Sequence, residues 1–244
     1  MNVALLQVSG LGKRFGGFTA LDGITLAIGA GERVGLIGPN GSGKTTLVSC
    51  ICGTLRHDGG SVGFAGHTLD GLPPHRRTRL GLARSFQLPR PFATLTLAEN
   101  LRVPLLFALH ERGGAPAEVA GRCADLLARV GLADKARRLP PELTQVEMRK
   151  LELARAMAAE PKLLLADEPM AGLSPQEAGE ILDLLLRLNA EGVAIVLIEH
   201  IMRVLMRFAT RVVVLVAGRK IADAPPADVV QQHDVIEAYL GRDA

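Results

Sequence analysis

Apolar positions along the 244-residue chain change period twice. Near the N-terminus they form short runs between glycine-rich turns: Ala4–Ser9, Ile24–Ile28, Glu32–Ile37 and Ser61–Phe64. Short apolar runs bounded by such turns predict strands. From about Leu97 to Arg138 the pattern predicts helices. Thr96-Leu97-Ala98-Glu99 carries the Ser/Thr-x-x-Glu capping box that starts a helix. Gly113-Gly114-Ala115-Pro116 separates that helix from a second, Ala117–Val130. Beyond it strand and helix alternate: Lys162–Asp167, Pro175–Glu191, Val193–Glu199, a helix, and Arg211–Ala217. Such alternation predicts a parallel sheet covered by helices. The expected fold class is α/β: a mostly parallel sheet flanked by helices, with an N-terminal antiparallel β portion and a helical insert at about 89–160. The whole chain, 1–244, reads as one domain.

Composition changes this picture little. By area scaling, a chain of 25.9 kDa exposes about 10,500 Å² folded against roughly 37,500 Å² unfolded. It therefore needs no metal or disulfide staple. Hydrophobic residues are 48% and charged residues 22%, which excludes disorder and fibrous repeats as whole-chain readings. Lys plus Arg is 28 against 25 Asp plus Glu, a net charge of only +3. With no Trp and one Tyr there are few base-stacking platforms, so no nucleic-acid partner is expected. Cys50, Cys52 and Cys123 fit neither a zinc spacing nor a disulfide framework, which points to a reducing compartment. No apolar run approaches the roughly 20 residues that span a bilayer, and no secretory signal is visible. The chain is expected to be cytosolic.

One segment carries specific chemistry. Gly38-Pro39-Asn40-Gly41-Ser42-Gly43-Lys44-Thr45 satisfies G-x-x-x-x-G-K-[S/T] in full, follows the strand Glu32–Ile37 and opens an apolar helix. That strand–loop–helix context marks a phosphate loop. Its glycines let backbone N–H groups turn toward a β-phosphate, and the helix N-terminus adds partial positive charge. Lys44 reaches the β/γ-phosphates, and the Thr45 hydroxyl ligates Mg²⁺. A second apolar run ends in two acids at Asp167-Glu168. Asp167 at a buried strand end suits Mg²⁺. Glu168, one residue on, is placed to polarise an attacking water, a contribution of roughly 10²–10⁴-fold. The pair favours water as nucleophile, hence a nucleotide hydrolase. There is no Asn/Thr-Lys-x-Asp pattern for guanine. His200 follows the strand Val193–Glu199, at the edge where a parallel sheet faces its ligand. It either bonds the γ-phosphate or caps a helix at the surface.

Together these pieces resemble, nearly end to end and in order, the ATP-binding subunits of ABC transporters. The resemblance implies that family's fold, with ATP and Mg²⁺ as ligands. It implies that Phe15 stacks on adenine, that 38–46, including Thr46, cradles phosphate, and that Gln87 is the Q-loop glutamine, a further Mg²⁺ contact. It implies Lys44, Glu168 and His200 as catalytic groups. Ala171-Gly172-Leu173-Ser174 falls at the D-loop. The segments 171–177, Leu197-Ile198-Glu199-His200 and Asp234–Gly241 resemble the branched-chain amino acid importer type. That implies a subunit on the cytoplasmic face of the membrane, with a second ATP-binding subunit, transmembrane permease subunits and a solute-binding protein as partners.

The chain departs from the family at the signature, normally Leu-Ser-Gly-Gly-Gln. Here it reads Leu143-Thr144-Gln145-Val146-Glu147. Both glycines are gone, Val146 is β-branched and stiff, and Thr144–Glu147 makes its own capping box. Glu147 puts negative charge toward the partner's γ-phosphate. At about 6 Å and an effective dielectric near 20, that repulsion reaches roughly 3 kcal/mol. A weakened signature serving the partner's ATP is expected, and with it a heterodimer. Ser174 stands where the family usually has Asp, and Ser174–Glu177 reads as a helix cap.

Arg76, Arg77, Arg79, Arg84 and Arg90, in the acid-free stretch His75–Arg90, would suit a nucleic-acid patch or lipid headgroups, but a solvated basic face leading to the Q-loop is the favoured reading. Leu101–Leu109, interrupted by Pro104, is either core packing or the wall of a groove for a permease helix. The competing functions are a soluble ABC-type ATPase acting on a macromolecule and a P-loop kinase or switch. The first usually carries coiled-coil insertions or two cassettes, which this chain lacks. The second is disfavoured by Glu168 directly after Asp167.

Overall fold

In this computed structural model residues 4–86, 88–109 and 116–240 are described. The elements run β1 (Leu6–Phe15), β2 (Phe18–Ile28), β3 (Arg33–Ile37), α1 (Lys44–Cys52), β4 (Gly59–Phe64), β5 (His67–Thr68), α2 (Pro74–Arg79), β6 (Leu82–Ser85), α3 (Leu97–Leu109), α4 (Pro116–Arg129), α5 (Gln145–Met157), β7 (Leu163–Asp167), α6 (Pro175–Ala190), β8 (Ala194–Ile198), α7 (Met202–Phe208), β9 (Arg211–Val216), β10 (Arg219–Ala224), α8 (Pro226–Val229) and α9 (His233–Leu240).

Two sheets form among the described residues. The N-terminal one is antiparallel, in the order β2-β1-β4-β5. The larger one has the order β10-β9-β3-β8-β7-β6. Its strands are parallel except β10, which returns antiparallel on β9.

The apolar runs of β7, β8 and β9 are buried on both faces, which is why they read as continuous rather than alternating. Successive side chains point to opposite faces, and the two cores divide accordingly. Leu164, Ile195, Leu197, Val212 and Val214 join the core under α3–α7. Leu163, Leu165, Val196, Val213 and Leu215 join the core shared with α1 and the antiparallel sheet. Each such side chain contributes about 1.5–3 kcal/mol on burial.

Three elements differ from the expectation. β1 runs on to Phe15 through Gly10 and Gly12, where the register shifts, so bulges absorb glycines that read as a turn. α3 is continuous through Pro104, and its first turn has the expected box: Thr96 N–H donates to Glu99 Oε2 (2.8 Å) and Glu99 N–H to Thr96 Oγ1 (3.3 Å). β10 was not expected, because a charged edge strand has little apolar signal. The expected break at 113–115 lies outside the described residues.

Candidate functional site

The C-terminal ends of β3, β7 and β8 lie side by side, so the loop after β3, the acids ending β7 and His200 after β8 meet at one edge of the sheet. Ligands of open α/β sheets bind at this edge.

The loop 38–43 packs under β9 and β10. Gly38 and Gly43 are both needed there. A Cβ on Gly38 would fall 2.0 Å from the Leu215 carbonyl oxygen, and one on Gly43 2.6 Å from that of Ala20. Gly43 is also left-handed (φ 102°) and forms the N-cap of α1 with no side-chain cap and no acid in the first turn. The first-turn N–H groups of α1 thus meet no capping side chain. Ser42 is buried and its carbonyl accepts from Gly218 N–H (3.0 Å). Lys44 Nζ donates to the carbonyls of Gly38 (2.7 Å) and Pro39 (3.1 Å), within the loop. Burial pushes the Lys44 ammonium down from its ordinary range, and Glu168 and Asp167 act against that. Both carboxylates therefore sit close to the loop lysine. Asn40, Gly41 and Thr45 are exposed, while Pro39 and Thr46 are half-buried.

Asp167 is buried, and its Oδ2 accepts from Arg84 Nη2 (2.7 Å), from the adjoining strand β6. Glu168 is half-buried with φ 45°, left-handed for a residue with a Cβ, and its N–H donates to the Ile198 carbonyl (3.0 Å). Such conformations cost about 1–3 kcal/mol and concentrate at functional sites. His200 is exposed beside them. Glu199, which the sequence did not single out, is buried and accepts from Met170 N–H (3.1 Å). It ties the 168–170 turn beneath β8. Burial pushes its carboxyl up.

Phe15 is half-exposed at the end of β1, with Lys13 Nζ 5.4 Å from the ring centroid. Gln87 lies outside the described residues. Asp167 and the Thr45 hydroxyl supply hard oxygen donors, which suit Mg²⁺. Among the described residues no group of three His, Cys, Asp or Glu makes a metal cage of protein alone.

The signature segment opens α5. Thr144 Oγ1 accepts from Glu147 N–H (3.4 Å), and Glu147 Oε2 accepts from Thr144 N–H (3.0 Å), the capping box expected. Two details differ from the expectation. Glu147 is ion-paired with Lys135, whose hydrogen bond holds its carboxyl below the usual range. Its charge is compensated, so the full 3 kcal/mol repulsion does not apply. Val146 is half-buried against the main core, so its branched side chain turns inward. Gln145 lies against Gly172, and Arg149 Nη2 donates to the Ala171 carbonyl (3.0 Å). The signature helix and the D-loop segment are thereby tied together. Ser174 caps α6 in the same way, accepting from Glu177 N–H (3.3 Å).

The basic stretch is not a uniform solvated face. Arg77 is buried and donates to the carbonyls of Leu72 (2.9 Å), Cys50 (2.9 Å) and Ile51 (2.8 Å). Arg84 pairs with Asp167. Both look like surface residues in a sequence, because only long-range contacts bury them. A groove of about 230 Å³ runs between β6, α3 and α5, lined among others by Phe86, Pro104, Glu152 and Arg155.

This arrangement defines an ATP-binding cassette. A sequence profile for ABC transporters matches residues 21–171, and the chain belongs to that family as an ATP-binding subunit. A second profile, for branched-chain amino acid ATP-binding cassette transporters, matches 219–244. Along its whole length the chain is similar to high-affinity branched-chain amino acid transport ATP-binding proteins: LivG of Escherichia coli K12, 37% identical over 99% of both chains, and BraF of Pseudomonas aeruginosa, 37% identical over 99% of both. A probable LivG of Archaeoglobus fulgidus is 33% identical over 97% of this chain and 95% of its own. Among solved structures, a nucleotide-free ATP-binding cassette from an ABC transporter superposes with a TM-score of 0.88 at 29% identity, covering 98% of this chain and 100% of that one. A dimeric cassette bound to ADP and phosphate gives 0.81 at 27% identity, covering 91% and 98%.

Proposed function

We propose that this chain binds Mg²⁺–ATP and hydrolyses it to drive import of branched-chain amino acids or related small solutes, acting on the cytoplasmic face of a membrane through permease subunits. The observation that carries this reading is the meeting of Lys44, Asp167, Glu168 and His200 at the edge beneath an uncapped helix N-terminus. The likeness to LivG and BraF supports the solute class and a solute-binding protein as further partner.

In this reading the loop 38–46 wraps the phosphates with backbone N–H groups, and Phe15 stacks on adenine. Lys44 leaves the loop carbonyls for the β/γ-phosphates. Thr45, Asp167 and Gln87 would hold the metal, which would supply positive charge to neutralise the transferred phosphoryl group. Glu168 polarises the water, and His200 bonds the γ-phosphate. The groove between β6, α3 and α5, lined in part by the exposed ring of Phe86, receives a permease helix. Because the signature N-terminus is already capped, a partner cassette with an open signature completes this chain's own ATP site, so a heterodimer is favoured.

The test is Glu168→Gln in the chain assembled with its permease and partner cassette. ATP binding is expected to persist while phosphate release falls by at least about 10²-fold. Hydrolysis at the wild-type rate in that variant overturns the assignment of Glu168.

A further inference from the structure

Two arginines on neighbouring elements, Arg77 buried and Arg84 half-buried, are held in opposite ways. Arg77 is fixed by three backbone carbonyls at 2.8–2.9 Å, which no ligand removes. Arg84 has one short bond, Nη2 to Asp167 Oδ2 at 2.7 Å. Its Nη1 stands 3.4 Å from the Ser49 hydroxyl, at the long limit, and its buried Nε has no hydrogen-bond partner. Its guanidinium lies 5.5 Å from the ring centroid of Phe86, beside the groove it lines. A half-buried arginine with so little framework bonding is placed by its counter-ion. That counter-ion is the carboxylate read above as a magnesium group.

We infer that Arg84 is the stand-in cation of Asp167: it neutralises the buried carboxylate when no metal is bound and gives it up when Mg²⁺–nucleotide enters. The inference rests on the reading of Asp167 as a metal group. Removing the guanidinium deprives the buried Asp167 carboxylate of its 2.7 Å hydrogen bond, which is unfavourable because a buried carboxylate needs a partner. Holding it with guanidinium and dication together is also unfavourable, because like charges then share one carboxylate. An exchange satisfies both conditions, and the Phe86 ring and groove give the released side chain a place to lie. Arg84 is thus a positioning residue for the metal step, acting through Asp167. Lys44 is held similarly, on loop carbonyls, so both cations rest on protein oxygens.

The experiment uses the purified full chain. Thermal unfolding is followed in EDTA without nucleotide and again with Mg²⁺–ADP, and Mg²⁺ is titrated into the ADP complex with a fluorescent nucleotide analogue as reporter. Arg84→Met is expected to lower the nucleotide-free Tm by about 6 °C or more. It is expected to enlarge the rise in Tm on adding Mg²⁺–ADP and to tighten Mg²⁺ by about tenfold. Arg84→Lys keeps the charge without the forked donor, so it folds if Arg84→Met does not, and it should shift Mg²⁺ in the same direction by a smaller factor. A fall in Tm equal in both states, or Mg²⁺ affinity unchanged or weakened in both variants, overturns the inference. Asp167→Asn separates this from the underlying reading. If it leaves Mg²⁺ affinity intact, the metal assignment fails. If it weakens Mg²⁺ while the Arg84 variants do not tighten it, the exchange alone fails.

Discussion

The N-termini of α1 and α5 are finished in opposite ways. α1 begins at a left-handed glycine with no capping side chain and no acid in its first turn. α5 begins at Thr144 with a closed capping box, and the box acid is paired with Lys135. α6 follows the second pattern through Ser174 and Glu177. A helix N-terminus presents unsatisfied N–H groups and partial positive charge. In α5 and α6 a side chain satisfies one of these groups, and in α1 none does. The signature helix of this chain is finished like α6.

The comparison breaks most severely at the open end. Gly43→Val puts a branched side chain at a left-handed position where even a Cβ meets the Ala20 carbonyl. Loss of ATP affinity by at least about 10²-fold is expected by titration calorimetry. Lys44→Ala removes the charged group and should reach a similar loss with the fold intact by circular dichroism.

The reverse change sharpens it. Replacing Thr144-Gln145-Val146-Glu147 by Ser-Gly-Gly-Gln opens the second N-terminus. Steady-state phosphate release of the chain alone is expected to rise by about tenfold, with Tm falling by a few degrees as the two glycines weaken the first turn. An unchanged rate would mean that the capped helix already serves a partner's phosphate.

Smaller effects test the caps themselves. Thr144→Ala should cost about 1 kcal/mol, or roughly 2–4 °C in Tm. α1 has no comparable side chain to remove. The smallest effect is in pH. Lys135 holds the Glu147 carboxyl below its ordinary value, so the folded state favours the charged form. That contribution is present above the unfolded pKa near 4.3 and is lost as pH falls through the lowered folded value. The Tm difference between wild type and Lys135→Ala should therefore be constant at neutral pH and shrink in the acid range.

The same contrast shows which features were legible in advance. Thr96, Thr144 and Ser174 each announced a capping box, and the structure has all three, because a box is settled within four residues. The phosphate loop and the acids after β7 were legible for a related reason: the strand, the loop and the helix that position them are contiguous. The inward turn of Val146 and the Lys135 partner of Glu147 were not, since each depends on what packs across the helix. β1 was cut short at Gly10, where a bulge carries the strand through.

By itself the sequence determined the alternation of strand and helix, the glycine-rich loop between β3 and α1, the carboxylate pair and the altered signature. These follow from local propensity and from chemistry carried by neighbouring residues. Only the tertiary structure decided which charges meet. It buried Arg77 on three carbonyls, set Arg84 against Asp167 across β6 and β7, placed Glu199 under the Glu168 turn and neutralised Glu147. The physical reason is that a charge's partner is chosen by distance in space, and residues 83 positions apart along the chain become neighbours only when the sheet forms.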